Sequence, residues 1–458
     1  MDTASPARSA DDDIDALEWF RLNLYTCATR RADALFELGD TLVAGGGVAT
    51  LAPPHLSLQS AFRRGWGSTY GALRHGNIDE EALRDLLAAS RPSDWPAVFA
   101  VDASSWARCD AECSPERGYY HHPSRHSNGK PIVAGWNYSW IAQLNWEHNS
   151  WTAPVDVKRI RPRDDTGKST AEQVKALVER IGDNKTAPLF VFDAGYDPIA
   201  LSVDLADTNA QILVRLRSDR VFYADPPEHR TGSVGRPPRH GRRFACVEPG
   251  TQGEPDATVT TTDSRYGRVE VAAWSGLHPR LAARGRWAGQ DRPPIVTGTV
   301  IRVQVEHLPK SINASGSLKT LWLWWSGPGT PDLDVCWRAY IHRFDIEHTL
   351  RFVKHTLGWT TPRVRLPEQA DRWTLIIVAA YNQLRLARRS VADCRLPWEP
   401  PRDPARLTPT RVRRGFRQLV QIIGTPANPP KPTKAGPGRP KGSRTGPAPR
   451  HPATKKTA

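Results

Sequence analysis

Apolar residues recur at three-to-four spacing from Asp13 to Leu38, and again over Phe62–Leu73 and Asp79–Ala89. That period predicts amphipathic helices. Asp79 stands where an N-cap belongs, because its carboxylate can accept from the open amides of the first turn. Ala49–Pro54 and Arg91–Pro96 read as connectors, and residues 1–12 are polar and expected to fray. Residues 1–92 are therefore expected to form a small helical domain. It suits a DNA-end-recognition module or a plain structural cap; no clean helix-turn-helix signal separates the two.

At Trp95 the pattern changes. Pro96-Ala-Val-Phe-Ala-Val-Asp102 is a short apolar run that ends on an acid, as a buried strand would. Arg108–Lys130 reads as loop. Ile132–Trp146 alternates, Trp151–Ile160 follows as a third strand, and the three suggest an antiparallel meander. Ser169–Ile181 reads as a helix with Ser169 as N-cap and Glu172 completing a capping box. Pro188-Leu-Phe-Val-Phe-Asp193 is a second buried strand ending on Asp, followed by a small Ala194-Gly195 turn. Asp197–Leu205 is expected to be helical and Gln211–Leu216 extended.

Residues 93–217 thus read as the first part of an α/β core. From 218 to 317 the chain is rich in Pro, Gly and Arg, with short β-like runs at Arg243–Val247, Ala257–Thr262, Val269–Trp274 and Ile295–Glu306. This reads as a β-rich insertion. Residues 318–424 complete the core, beginning with the apolar strand Leu318–Ser326. Two helices follow, Tyr340–Lys354 and Gln369–Ser390. Residues 425–458 carry Pro, Gly, Lys and Arg without an acidic residue and are expected to be a disordered basic tail.

Tyr340–Lys354 has no Gly or Pro. At 100° per residue, Ile346, Leu350, Val353 and Leu357 share one sector, and Tyr340, Arg343, Glu347 and Lys354 form a stripe beside it. One carboxylate between two cations and a phenol suits a hard metal ion and a phosphate together. It also suits an ordinary helix with ion pairs on its wet side.

Charge narrows the choice. The net charge of +15 and a pI near 9.8 point to a polyanionic partner, most simply nucleic acid. The 17 tryptophans can serve as core or as stacking platforms for bases. Six scattered cysteines show no disulfide framework, which fits a reducing cytosol. Met1–Arg8 has no apolar core of the secretory kind, and no apolar run approaches membrane-spanning length. The expectation is a soluble cytoplasmic, nucleoid-associated protein with no membrane partner.

Asp102 ends one strand, Asp193 ends a later one, and Glu347 lies on the helix after the insertion. That order is how an RNase H-like mixed sheet, flanked by helices, gathers three carboxylates. Three such groups repel unless divalent cations neutralise them. The chain resembles the DDE transposases of bacterial insertion sequences, in particular the group with a Tyr-x2-Arg-x3-Glu-x6-Lys signature. Tyr340, Arg343, Glu347 and Lys354 match it at every gap. Phe-Val-Phe-Asp193-Ala-Gly-Tyr resembles the group's second Asp motif and Val-Asp102 its first. The resemblance covers roughly residues 95–390.

The resemblance implies that Asp102, Asp193 and Glu347 hold Mg²⁺, with Mn²⁺ able to substitute. It implies that Arg343 and Lys354 clamp phosphates of the transposon end, with Tyr340 contacting a phosphate nearby. It further implies cleavage of double-stranded DNA, strand transfer into a target, and a homodimer on the DNA. Some members flip a base onto a Trp before the Glu helix; Trp322, Trp324 and Trp325 stand in that region, where a core role is the better reading for at least two. Two alternatives remain: a non-catalytic, domesticated DNA-binding protein, and an RNase H-like nuclease without strand transfer.

Other candidates rank lower. Cys109 and Cys113 with His121, His122 and His126 only loosely suit zinc. Gly235–Arg243 and Gly438–Gly442 contain Gly-Arg-Pro cores like those that lie in A·T minor grooves, with plain phosphate contact the better reading. Asp345 projects away from the Glu347 stripe, Asp197 reads as a helix cap, and Asp110 stays open as a helper.

Overall fold

The computed structural model describes residues 10–46, 49, 52–121, 131–147, 149–182, 186–227, 237–307, 319–432, 442 and 446–455. The chain divides into two units. The first comprises Met1–Pro96, Asp102–Thr166 and Asp345–Ala458; the second comprises Ala97–Val101 and Gly167–Phe344.

The N-terminal pattern gives α1 (Ala10–Cys27), β1 (Ala28–Arg30), α2 (Ala32–Val43), α3 (Pro53–Leu56), α4 (Gly67–His75), β2 (Asn77–Ile78) and α5 (Glu80–Ala89). The single helix expected over 13–38 is broken. Ala28 and Arg30 pair with β2, and Arg31 takes a left-handed conformation at φ 55°. Phe62–Leu73 is helical only from Gly67. Asp79 caps α5 as expected, accepting from the Ala82 amide at 3.0 Å.

The middle of the chain gives β3 (Val98–Ala107), β4 (Gly118–His121), β5 (Ile132–Gln143), β6 (Ala153–Ile160), α6 (Thr166–Ile181), β7 (Leu189–Phe192), α7 (Pro198–Asp204) and β8 (Gln211–Leu216). Three expectations change. β3 runs on to Ala107, so Asp102 lies within the strand rather than at its end. Residues 118–121, read as loop, pair with β5. Helix α6 starts three residues before Ser169, which is therefore not its cap.

Next come β9 (Val221–Tyr223), β10 (Arg243–Ala245), α8 (Pro249–Gln252), β11 (Ala257–Asp263), β12 (Gly267–Leu277), β13 (Gly298–Val305) and β14 (Lys319–Ser326). The chain closes with α9 (Leu333–His342), α10 (Asp345–His355), α11 (Pro367–Leu386) and α12 (Pro409–Ile423). The helix expected over Tyr340–Lys354 is two helices. The corner at Arg343–Phe344 has neither Gly nor Pro. It is filled by Phe344 edge-on to Tyr340 at 6.0 Å and by the Arg343 guanidinium 4.7 Å over the Phe344 ring.

In the second unit the strand order is β11-β12-β13-β14-β8-β7, then the first residues of β3. β7 is parallel to β3 and β8, and the other pairs are antiparallel. β11–β14 thus extend the sheet edge beyond β8, while β9 and β10 pair with each other in a separate two-stranded sheet. Their inner side packs as an aromatic cluster: Phe222 stacks on Trp324 at 5.5 Å, and Phe244, Trp274 and Trp322 meet edge to face or tilted.

In the first unit β5 pairs antiparallel with β4 along its first half and with β6 along its second. Helix α11 packs on β6 and carries the N-terminal helices on its other flanks. Trp359, fully buried, gathers Trp106, Tyr138 and Trp140 around it at 4.9–6.3 Å. A buried ion pair ties the helices together: Arg21 donates to Asp40 Oδ1 and to Gln383 Oε1, each at 2.6 Å.

Described residues of the basic tail make contacts within the first unit. Asn428 donates to Asp33 at 2.9 Å, and Ala427 accepts from Arg63. Residues 446–455 lie along the loop after β3: His451 and Thr454 amides donate to the Glu112 and Arg117 carbonyls at 2.7 Å, and Thr454 bridges Gly118. Backbone groups hold this segment together with the Arg117 guanidinium, which donates to the His451 carbonyl at 2.7 Å, and an Arg450–Glu112 ion pair. The fold is mixed α/β, a large mixed sheet flanked by helices, compatible with the RNase H-like expectation.

Candidate active site

In the first unit the chemistry gathers over the tryptophan core. Asp102 is half-buried, with Oδ1 accepting from the Ala103 amide at 2.9 Å. Lys354 comes from the last turn of α10, where a cation complements the helix dipole. Its Nζ lies 5.7 Å over the Trp359 ring. Burial pushes the Lys354 ammonium below the ordinary lysine range, and the Asp102 carboxylate pulls it back up. The packing of Trp359 thus fixes a half-buried cation that senses an acid of β3. Glu347 is exposed in the first turn of the same helix.

In the second unit Asp193 follows β7, a strand buried along its whole length. Its Oδ1 accepts from the Gly195 amide at 2.9 Å. A Cβ on Gly195 would stand 3.1 Å from that oxygen, so glycine lets the turn close on the carboxylate. Asp197 caps α7 from the Ile199 and Ala200 amides, which agrees with the reading that set it aside. The parallel register pairs Ala100 with Val191; each stands two residues before an acid of the candidate set, Asp102 and Asp193 respectively.

Tyr340 and Arg343 end α9 in this second unit, both buried. The Tyr340 hydroxyl accepts from Arg215 Nη1 at 3.1 Å, and both guanidiniums lie within 6 Å of its ring. Arg215 was missed from sequence. Its one signal is a cation inside the apolar strand Gln-Ile-Leu-Val-Arg-Leu.

Asp110 and the three tryptophans before α9 have partners in the fold. Asp110 is held by Arg108 at 3.3 Å and Arg363 at 3.2 Å. Trp322, Trp324 and Trp325 are all buried, with Trp324 donating to Ser202 and Trp325 to Gln211. Cys109 is exposed and Cys113 half-buried, while His122 and His126 lie outside the described residues. So do Gly235 and Arg236 of one Gly-Arg-Pro core, and residues 438–441 of the other. Among the described residues, no three His, Cys, Asp or Glu side chains form a ready metal-binding group.

A family model described as DDE superfamily endonuclease matches residues 23–280. The chain belongs to that family. The match takes in Asp102 and Asp193 and stops before Tyr340. No curated protein matches the chain. The activity of this DDE endonuclease is therefore of nuclease or transposase type, with DNA as substrate. Endonucleases of the superfamily generally use divalent metals. The donors here are of the right kind: carboxylate oxygens suit a hard cation, and the main-chain amides at Asp102 and Asp193 already orient one oxygen of each. Among the described residues, no helix of this DDE endonuclease is long and apolar enough to cross a membrane.

Proposed function

We propose that this DDE endonuclease is a transposase that cuts double-stranded DNA at the ends of a bacterial insertion sequence and joins the freed ends to a target. Asp102, Asp193 and Glu347 are the ligands for Mg²⁺ or Mn²⁺. Bound there, the cations would stabilise the attacking and leaving oxygens of phosphodiester displacement. Lys354, Arg343 and Tyr340 hold DNA phosphates, and two copies of the chain hold two ends in the nucleoid.

The observation that carries the reading is the pair of acids reached from one parallel register, each two residues past Ala100 or Val191. The Tyr-Arg-Glu-Lys spacing adds the third acid and the cations. The chain's own part is positional. The Ala103 and Gly195 amides orient their carboxylates, Trp359 supports the Lys354 cation, and the Tyr340–Phe344 corner orients Arg343. Positioning and charge supply most of what phosphoryl transfer needs from a protein.

The test is Glu347→Gln on plasmid DNA carrying the sequences that flank the coding region. Cleavage should fall about a hundredfold or more, while DNA affinity stays within about threefold. Cleavage at the wild-type rate would remove Glu347 from the triad. Wild-type cleavage without strand-transfer product would favour a nuclease instead.

A further inference from the structure

Helix α10 buries Ile346, Leu350 and Val353, and one polar residue stands among them: Thr349, 2% exposed. Its Oγ1 lies 2.8 Å from Thr152 Oγ1, just ahead of β6, and 3.2 Å from the Tyr381 hydroxyl on α11. It also donates to the Asp345 carbonyl at 3.3 Å, one turn back in its own helix. Thr152 and Tyr381 are fully buried. Three hydroxyls thus meet in one dry interface between α10, the start of β6 and α11.

A hydroxyl has one hydrogen and two lone pairs. Thr349 gives its hydrogen to the Asp345 carbonyl, so it accepts from Thr152 and from Tyr381. Valine and phenylalanine would fill the same space without the cost of burying polar groups. What hydroxyls add is direction. Apolar contact holds α10 against its neighbours but leaves it free to turn and slide, because the hydrophobic effect has no preferred angle. Hydrogen bonds do have one. Residues 347 and 349 stand about 200° apart around a helix. The hydroxyl cluster therefore grips the buried side of α10 while Glu347 leaves the exposed side. Any turn of the helix about its axis moves the Glu347 carboxylate.

We propose that Thr349 is a positioning residue: its hydroxyl, held by Thr152 and Tyr381, fixes the turn of α10 about its axis and so aims the Glu347 carboxylate at a divalent cation. This rests on the reading of Glu347 as a metal ligand. A ligand must be held to within a fraction of an ångström, and groups that orient ligands govern metal affinity without touching the metal.

The experiment compares Thr349→Val, Thr349→Ser and Thr41→Val with the parent, all as full chains. Thr41 is buried in α2 and donates to the Leu38 carbonyl at 2.7 Å, so Thr41→Val makes the same chemical change away from α10. Mn²⁺ is the probe. Its binding is read from the electron paramagnetic resonance signal of the free ion, and plasmid cleavage is followed against Mn²⁺ concentration with the same preparations. Thr349→Val should weaken Mn²⁺ binding about tenfold and move the cleavage curve to higher Mn²⁺ by a similar factor. Thr349→Ser keeps the hydroxyl and should stay within about threefold of the parent, as should Thr41→Val. Parental Mn²⁺ binding by Thr349→Val, or an equal loss in Thr41→Val, overturns the proposal. Should Thr349→Val fail to fold, Tyr381→Phe removes one of the same hydrogen bonds from α11 and is read in the same way. Glu347→Gln tests the underlying reading separately. If it binds Mn²⁺ and cleaves like the parent, Glu347 is no ligand and the proposal falls with that reading. If it loses both while Thr349→Val keeps both, the proposal alone fails.

Discussion

The Lys354 ammonium sits half-buried 5.7 Å over the Trp359 ring, where it feels the charge of the Asp102 carboxylate. Burial disfavours its charge and Asp102 restores part of it, so the cation is held in place rather than lost to water. Lys354→Met keeps an apolar stem on Trp359 and removes the charge. DNA affinity should fall about tenfold at low salt, and the salt slope should drop by about one. Folding stability should hold or rise, since a half-buried ammonium is costly to keep. An unchanged salt slope would show that Lys354 touches no phosphate.

Arg21 and Asp40 form a buried pair joining α1 to α2. Burial raises the Asp40 carboxyl above its ordinary range, while the charge and hydrogen bonds of Arg21 oppose that rise. The folded chain therefore holds this proton more tightly than the unfolded chain. Stability from this group is greatest in acid and declines as pH rises through the ordinary carboxylate range to the raised value. Arg21→Met removes the opposing partner and raises Asp40 further. At pH 7 the variant should lose about 3–5 kcal/mol, the cost of an uncompensated buried charge. Part of that loss should return at lower pH, as Asp40 takes up its proton. Urea unfolding of parent and variant at both pH values measures this, and an equal deficit at both would exclude Asp40 as the cause.

What the sequence made legible depended on local chemistry. Gln211–Leu216 is a strand at the residues expected, and Asp79 and Asp197 cap the helices they precede. Such signals need only neighbouring residues. The corner at Arg343–Phe344 carries no breaker and splits a signature that reads as one helical stripe. Aromatic packing of Phe344 on Tyr340 lies at that break, and spacing does not reveal it. Helix α12 went unread although Val412, Phe416 and Leu419 recur at helical spacing, because arginines crowd its other positions. Arg215 beside Tyr340 brings together residues 125 positions apart, beyond any local pattern.

Gly195 bears on Asp193 through space alone. A methyl group there would stand 3.1 Å from Asp193 Oδ1, close enough that the carboxylate must yield by a few tenths of an ångström. Gly195 is exposed and does not take a left-handed φ, so the backbone tolerates alanine. Gly195→Ala should leave the melting temperature within about 2 °C. Metal-dependent cleavage should fall about tenfold, because small displacements of a reacting group are costly. Higher metal concentration should recover part of the rate if Asp193 is a ligand. A parent-like rate at every metal concentration would argue that Asp193 is not one.

The docked tail separates two roles that charge alone would merge. Residues 427 and 428 serve the first unit's fold through Arg63 and Asp33, so truncation should begin after residue 445. Removing 446–458 takes away the two amide bonds to Glu112 and Arg117 and the ion pair from Arg450 to Glu112. Hydrogen exchange across residues 112–118 should quicken, while the tryptophan core stays protected. DNA affinity should weaken mainly at low salt, since the segment offers cations for phosphates. Unchanged exchange at 112–118 would mean that the tail does not rest there in solution.

Trp324 decides whether the tryptophans before α9 are core or a stacking platform. Its ring is fully buried, stacked on Phe222 at 5.5 Å, with Nε1 donating to Ser202 at 2.9 Å. A base could reach it only after that cluster opened. Trp324→Ala should therefore cost about 3–5 kcal/mol of stability, the range for emptying a large buried side chain. Trp324→Phe retains most of the volume and loses the Ser202 bond, so it should cost less and leave DNA binding within about threefold. If Trp324→Phe instead loses cleavage at parental stability, the indole acts on DNA directly, and the cluster must open when DNA binds.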